Sequence, residues 1–156
     1  MKEDEPDVLT LLTRHELAIK ELYEAFAATF NKNESFWRDL AANEEKHAEW
    51  LTELRSDSIA GNWLQHDSPV KPQAIKTSIG YVESQVRRAK EGNFNILQAL
   101  SIARDLETAL LERQFHKLKE SAPKEIRSVL MNLAAETEGH RKALVEAIHT
   151  EKQRSP

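Results

Sequence analysis

The chain has 156 residues, 40% of them hydrophobic and only four of them glycine, enough to bury the core of a single domain over 1–156 that is ordered away from its ends. Its 22 basic and 26 acidic residues are interspersed, with a formal net charge of -4, and no Lys/Arg cluster alternates with aromatics as a nucleic-acid groove requires. No apolar run approaches the roughly 20 residues that span a bilayer, the start MKEDEPD lacks the pattern of a signal peptide, and the absence of cysteine excludes disulfides, iron–sulfur clusters and Cys-ligated zinc. A cytoplasmic protein with no membrane and no nucleic-acid partner is expected, in which any metal is held by oxygen and nitrogen.

The first helix is expected to begin near Pro6, a residue suited to an early helical position, and to run to about Phe30, where Asn31-Lys32-Asn33-Glu34 breaks it. Ser35 is the expected N-cap of the second helix, which reaches about Arg55. Gly61, Pro69 and Pro72 then mark a link too rich in breakers to stay helical. From about Pro72 to Lys90 helical spacing returns through Ile75, Ile79, Val82 and Val86, and Gly92 ends this crossover helix. A third long helix is expected over roughly Asn95 to Lys119, the turn Ser121-Ala122-Pro123 follows, and a fourth runs from about Lys124 to Glu151, with a polar tail behind it. Two hairpins joined by one long crossover, about 57–93, give an all-α four-helix bundle of ferritin-like topology with an extra helix in the crossover.

Each long helix carries an apolar seam at alternating spacings of three and four. The first is Leu9, Leu12, Glu16, Ile19, Tyr23, Phe26 and Phe30; the second is Trp37, Leu40, Glu44, His47, Leu51 and Leu54. The third reads Ile96, Leu100, Ala103, Glu107, Leu110 and Gln114, and the fourth Ile126, Leu130, Leu133, Thr137, His140 and Leu144. Polar groups stand where leucines belong, near the middle of every seam. Carboxylates meeting at one buried level carry a penalty of several kcal/mol each unless cations compensate them, so Glu16, Glu44, His47, Glu107 and His140 point to a metal site.

The spacing agrees. Glu44 and His47, three apart, differ by about 300° around the axis and share a face, while Glu45 points elsewhere. One Glu from each of two helices, plus Glu-x-x-His from the others, is the di-iron carboxylate pattern. Glu16 and Glu107 fill the first role and Glu44 with His47 the second. Leu40 to His47 also aligns without gaps to Leu133 to His140, so each half is a pseudo-copy of the other. Carboxylates bridge and neutralise divalent ions, and open coordination positions beside imidazoles admit dioxygen or peroxide.

With Glu16-x6-Tyr23, the stretch Glu44-Glu45-Lys46-His47-Ala48, Asp105-Leu106-Glu107 and His140-Arg141-Lys142-Ala143-Leu144, the sequence resembles the rubrerythrin branch of the ferritin-like superfamily from about residue 8 to 148. The resemblance implies a non-haem di-iron bundle whose relatives reduce peroxide or dioxygen or oxidise ferrous iron. Its ligands would be Glu16, Glu44, His47, Glu107 and His140, with Tyr23 as a buried tyrosine near the metals. Two departures matter. The cysteine-ligated rubredoxin-like centre is absent, so electrons must come from an external donor. Thr137 stands where the second repeat should have a glutamate, and Glu136, about 40° from His140 on the helix, is the residue that can lean in instead.

Other polar residues read differently. His15, His66, His116 and His149 fall off the seams or in loops and are expected to face solvent. His15-Glu16 begins a His-Glu-x-x-His zinc-protease motif, but residue 19 is Ile. Trp37, Trp50 and Trp63 are core or interface anchors, the charges of Arg87-Arg88 and Glu112-Arg113 a solvated face, and Met131, the one internal methionine, a poor candidate for a haem. The reading is therefore a rubrerythrin-like, metal-binding oxidoreductase carrying two non-haem irons. Its alternatives are a bundle whose site has decayed, kept as an interaction or dimerisation module, and a single structural iron, zinc or manganese ion. Apolar positions on the crossover helix favour a homodimer.

Overall fold

The computed structural model describes residues 6–154; the first five residues of the acidic start and the last two of the polar tail lie outside them. Helix α1 spans Val8–Thr29, with Asp7 rather than Pro6 at its start: the Asp7 carboxylate accepts from the Thr10 N–H at 2.7 Å. A 3-10 turn, Asn31–Asn33, leads directly into α2, Glu34–Leu54, so Asn33 and not Ser35 stands at the N-cap position, with no capping bond from its side chain. So short a link makes α1 and α2 neighbours, and the two pack along each other.

The link after α2 departs from the expectation. Residues Ser58–His66 form a helix, α3, despite Gly61. Asp57 caps it by accepting from the N–H groups of Ile59 and Ala60 at 2.9 and 3.1 Å, and Ala60, Trp63 and Leu64 are buried. A good cap and an apolar face outweigh the roughly 1 kcal/mol that a mid-helix glycine costs. Pro69 falls beyond the helix and Pro72 opens α4, Pro72–Lys90, where a missing N–H does no harm. Gly92, at φ 76°, closes α4: its N–H reaches Ala89 O and that of Asn93 reaches Arg88 O, the paired bonds of a Schellman ending.

Helix α5, Ile96–Ala109, starts on a capping box in which Asn95 and Gln98 each bond the other's backbone N–H. It continues through a π-helical stretch, Leu110–Phe115, into α6, His116–Ser121, so 96–121 is one rod with a widened turn in its middle. After Pro123, α7 runs over Lys124–Arg154. The rod packs on α7, α1 packs on α2, and α2 touches α7. In the connection between the hairpins, α3 and α4 lie against α1. No strand occurs among the described residues, and no described helix is long and apolar enough to cross a membrane. The architecture is an all-helical bundle.

All four seams face its interior. Every seam residue is buried except Phe30 and Ile96, and these two pack partly buried against the core. Below the level of Glu16 an aromatic cluster fills the bundle: Trp37 lies 4.8 Å from Phe26 and 5.6 Å from Tyr23 between ring centroids, and Phe94 meets Phe26 edge-on at 5.5 Å. Rings packed at such distances add about 0.5–1.5 kcal/mol per pair beyond their buried area, which fixes the register of α1 against α2 at the seam glutamates.

Candidate metal centre

Because Glu16, Glu44, Glu107 and His140 take seam positions otherwise held by leucine and alanine, the packing that buries the leucines also buries them. Glu44, His47 and Glu107 are fully buried, Glu16 is 1% exposed and His140 is 7% exposed. They form two interlocking triads, Glu16–Glu44–His47 and Glu44–Glu107–His140, each with ligand atoms within 4.8 Å of one another. Glu44 belongs to both. Bonds of about 2.0–2.2 Å around one divalent ion hold its ligands roughly 4 Å apart at most, so each triad needs only a small contraction to close on an ion.

Electrostatics make the same case. The only partners of the three carboxylates among the described residues that can carry a positive charge are imidazoles: His140 Nδ1 lies 3.1 Å from Glu107 Oε1 and 3.2 Å from Glu44 Oε1, and His47 Nδ1 lies 3.5 Å from Glu44 Oε2 and 3.9 Å from Glu16 Oε2. Burial, together with the charges of Glu107 and Glu16, pushes the Glu44 carboxyl well above its usual range. Burial acts against ionisation of Glu16 too, but its closeness to the Glu44 carboxyl and its contact with His47 more than offset this and hold it low. Glu44 thus carries the proton of the pair. Both oxygens of Glu16 and of Glu44, one of Glu107 and Nδ1 of His47 still lack a good hydrogen bond. Unmatched buried acceptors converging on one volume are what a metal would satisfy, and the residues fit one.

Tyr23 enters from α1 and donates its hydroxyl to Glu107 Oε1 at 3.3 Å. Burial, then the charges of Glu107 and Glu44, push that phenol well up, so it stays a donor. Thr137 offers nothing to the centre: its hydroxyl donates to Leu133 O of its own helix at 2.7 Å. Glu136, the residue able to lean in for it, lies on the far side of His47, its side chain 33% exposed, with Oε1 2.9 Å from His47 Nε2 and Oε2 3.3 Å from Lys46 Nζ. Burial would push the Glu136 carboxyl up, but the His47 and Lys46 contacts prevail and hold it low. With the Nε2 proton donated to Glu136, Nδ1 faces Glu44 and Glu16, and in the neutral ring it is Nδ1 that carries the lone pair a metal would take. A carboxylate behind a ligating histidine orients the ring and strengthens it as a donor.

His15 does not face solvent. It is 4% exposed and bonded to Gln114, with Nδ1 3.2 Å from the amide nitrogen, and burial pushes its imidazole down. The reason is α4, which covers a second side of α1. Val8, Leu11, His15, Ala18 and Leu22 form another stripe at three-four spacing, readable from sequence once a second covering helix is allowed for. His66 and His149 are exposed and His116 half-buried. Trp37 is fully buried, while Met131 is exposed.

No protein-family model, curated protein or solved structure matches the chain.

Proposed function

We propose that this chain is a ferritin-like, rubrerythrin-type protein whose five seam residues hold two non-haem iron ions that react with peroxide or dioxygen. The observation that carries the reading is the pair of triads sharing Glu44. In it Glu16 and His47 would hold one ion, Glu107 and His140 the other, and Glu44 would bridge them. When bound, ferrous ions supply the electrons that such an oxidant takes up. The chain's own residues would do the rest: the three carboxylates would offset most of the charge of the ions, Glu136 holds His47 with Nδ1 inward, and Tyr23 keeps a hydroxyl proton on Glu107. The fold description that goes with this reading is two hairpins bridged by a crossover containing α3 and α4. With no cysteine in the chain, an external electron donor completes the cycle. Tyr81, exposed on α4, is where a second copy would pack in a homodimer.

The test is anaerobic loading with ferrous iron followed by peroxide. Peroxide consumption with growth of ferric absorbance supports the reading; unchanged peroxide and an unchanged spectrum contradict it.

Thr137 favours a second reading. A site one carboxylate short can be a decayed centre, the bundle serving as an interaction or dimerisation module, with Glu107 paired to His140 at 3.1 Å. A single structural zinc or manganese ion is the intermediate case, marked by one equivalent of metal indifferent to oxidants.

A further inference from the structure

Peroxide becomes two water molecules only by taking up two electrons and two protons, and one ferrous ion supplies one electron. With Thr137 where a glutamate belongs, the centre is one carboxylate short of holding two ions firmly. A singly occupied centre therefore needs a second electron from elsewhere, and in a chain without cysteine the side chains best able to give it are tryptophan and tyrosine.

Trp50 joins the centre to the surface. Its ring lies 5.6 Å from that of His47, centroid to centroid and tilted by 34°, and the His47 ring stacks on that of His140 at 5.5 Å. His47 belongs to one triad and His140 to the other, so a series of three rings reaches both. On its outer side Trp50 is half-buried and lines a surface groove of about 540 Å³ with Glu53, Asp57, Val129 and Asn132. Lys46 Nζ, 5.2 Å from the ring centroid, opposes positive charge on the indole, but Glu136 lies 3.3 Å from that ammonium and offsets it. The other aromatic donors are placed less well. Trp37 is fully buried and meets the centre by way of Tyr23, and Trp63 lies on α3, which carries no ligand. Tyr23 is nearer, with its hydroxyl on Glu107, but a phenol sheds its proton as it loses an electron, and Glu107 is the carboxylate an ion would occupy. Tyr23 is also fully buried, away from any outside reductant.

Resting on the iron reading above, we propose that Trp50 gives peroxide its second electron when the centre holds a single ferrous ion. The O–O bond breaks, one electron leaves the ferrous ion, which becomes ferric, and the other leaves the Trp50 indole, which becomes a radical cation. Two protons from solvent complete two water molecules. The indole then sheds its N–H proton to water in the groove, and the external donor returns an electron there as a proton is taken back. Without Trp50, the half-reduced peroxide escapes as hydroxyl radical.

The test uses the full chain carrying ring-deuterated tryptophan, loaded anaerobically with one ferrous ion per chain and mixed with one equivalent of peroxide in the absence of reductant. Freeze-quenched samples should show an organic radical by electron paramagnetic resonance, narrowed by the deuteration and lost in Trp50→Phe. Spin-trapped hydroxyl radical should rise in Trp50→Phe. In the native chain, which needs no variant to fold, mass spectrometry after the reaction should place added oxygen on Trp50, and not when metal-free chain meets the same peroxide. Iron left unbound or peroxide left unconsumed overturns the iron reading and this proposal with it. Peroxide consumed with growth of ferric absorbance, but with no radical, a tyrosine radical, or Trp50 oxygenated equally without iron, overturns this proposal alone.

Discussion

His47 presents opposite edges to two carboxylates: Nε2 lies 2.9 Å from Glu136 Oε1, and Nδ1 lies 3.5 Å from Glu44 Oε2. Glu136 is therefore an orienting residue, and its replacement should weaken the centre without dismantling it. Glu136→Gln is expected to lower metal affinity by about 10–100-fold, the usual cost of losing such a partner. Competitive titration against a chelator would measure it, with circular dichroism checking that the helices persist. Unchanged affinity would remove Glu136 from the site.

Glu44 sits in both triads, so Glu44→Leu should abolish binding of both ions. The same change removes a buried acid pressed against Glu16 and Glu107. Metal-free Glu44→Leu should be about as stable as the native chain, the relief of crowding against Glu16 and Glu107 offsetting the partner that Glu16 and His140 lose. Urea unfolding without metal decides it; marked destabilisation would mean that Glu44 has a partner that holds the fold together.

The raised Glu44 carboxyl also sets a pH dependence. A folded-state value above the unfolded one contributes stability that is fully present below about pH 4, near the unfolded carboxylate value, and is lost as pH rises through the folded value. Glu44→Gln deletes this contribution alone. The stability of metal-free Glu44→Gln relative to the native chain should therefore grow as pH rises above the unfolded carboxylate value. Metal-loaded native protein should behave oppositely, gaining stability as pH rises, because its ligands bind only when deprotonated. Thermal melts across pH, with and without metal, read both trends; parallel curves for the two metal-free proteins would contradict the protonated Glu44.

Thr137→Glu would supply the missing carboxylate. Thr137 is fully buried, so the longer side chain should destabilise the metal-free protein by about 1–3 kcal/mol through overpacking. Its stabilisation by metal should increase in return, read as a larger melting shift on loading. An unchanged shift would show that position 137 does not face the ions.

Seam spacing made much of this legible in the sequence. Glu16, Glu44, His47, Glu107 and His140 were found as polar residues in leucine positions, and periodicity is what buries them. Features that depend on a third element were hidden. His15 reads as a surface residue against one partner helix and becomes buried only because α4 covers the stripe Val8, Leu11, Ala18 and Leu22. The π-helical stretch after Glu107 leaves no mark in the pattern, since Leu110 and Gln114 also suit a regular helix. Helix α3 was masked by Gly61, whose cost is local while the Asp57 cap and the burial of Trp63 act together. The side of His47 on which Glu136 lies is a rotamer question that spacing along one helix does not answer.

The most direct measurement is iron per chain, by elemental analysis of protein purified without chelators and reloaded anaerobically with ferrous iron. The two triads sharing Glu44 predict about two irons per chain, both lost in Glu44→Leu. No retained iron, or one ion that Glu44→Leu leaves in place, would contradict a centre built on these five residues.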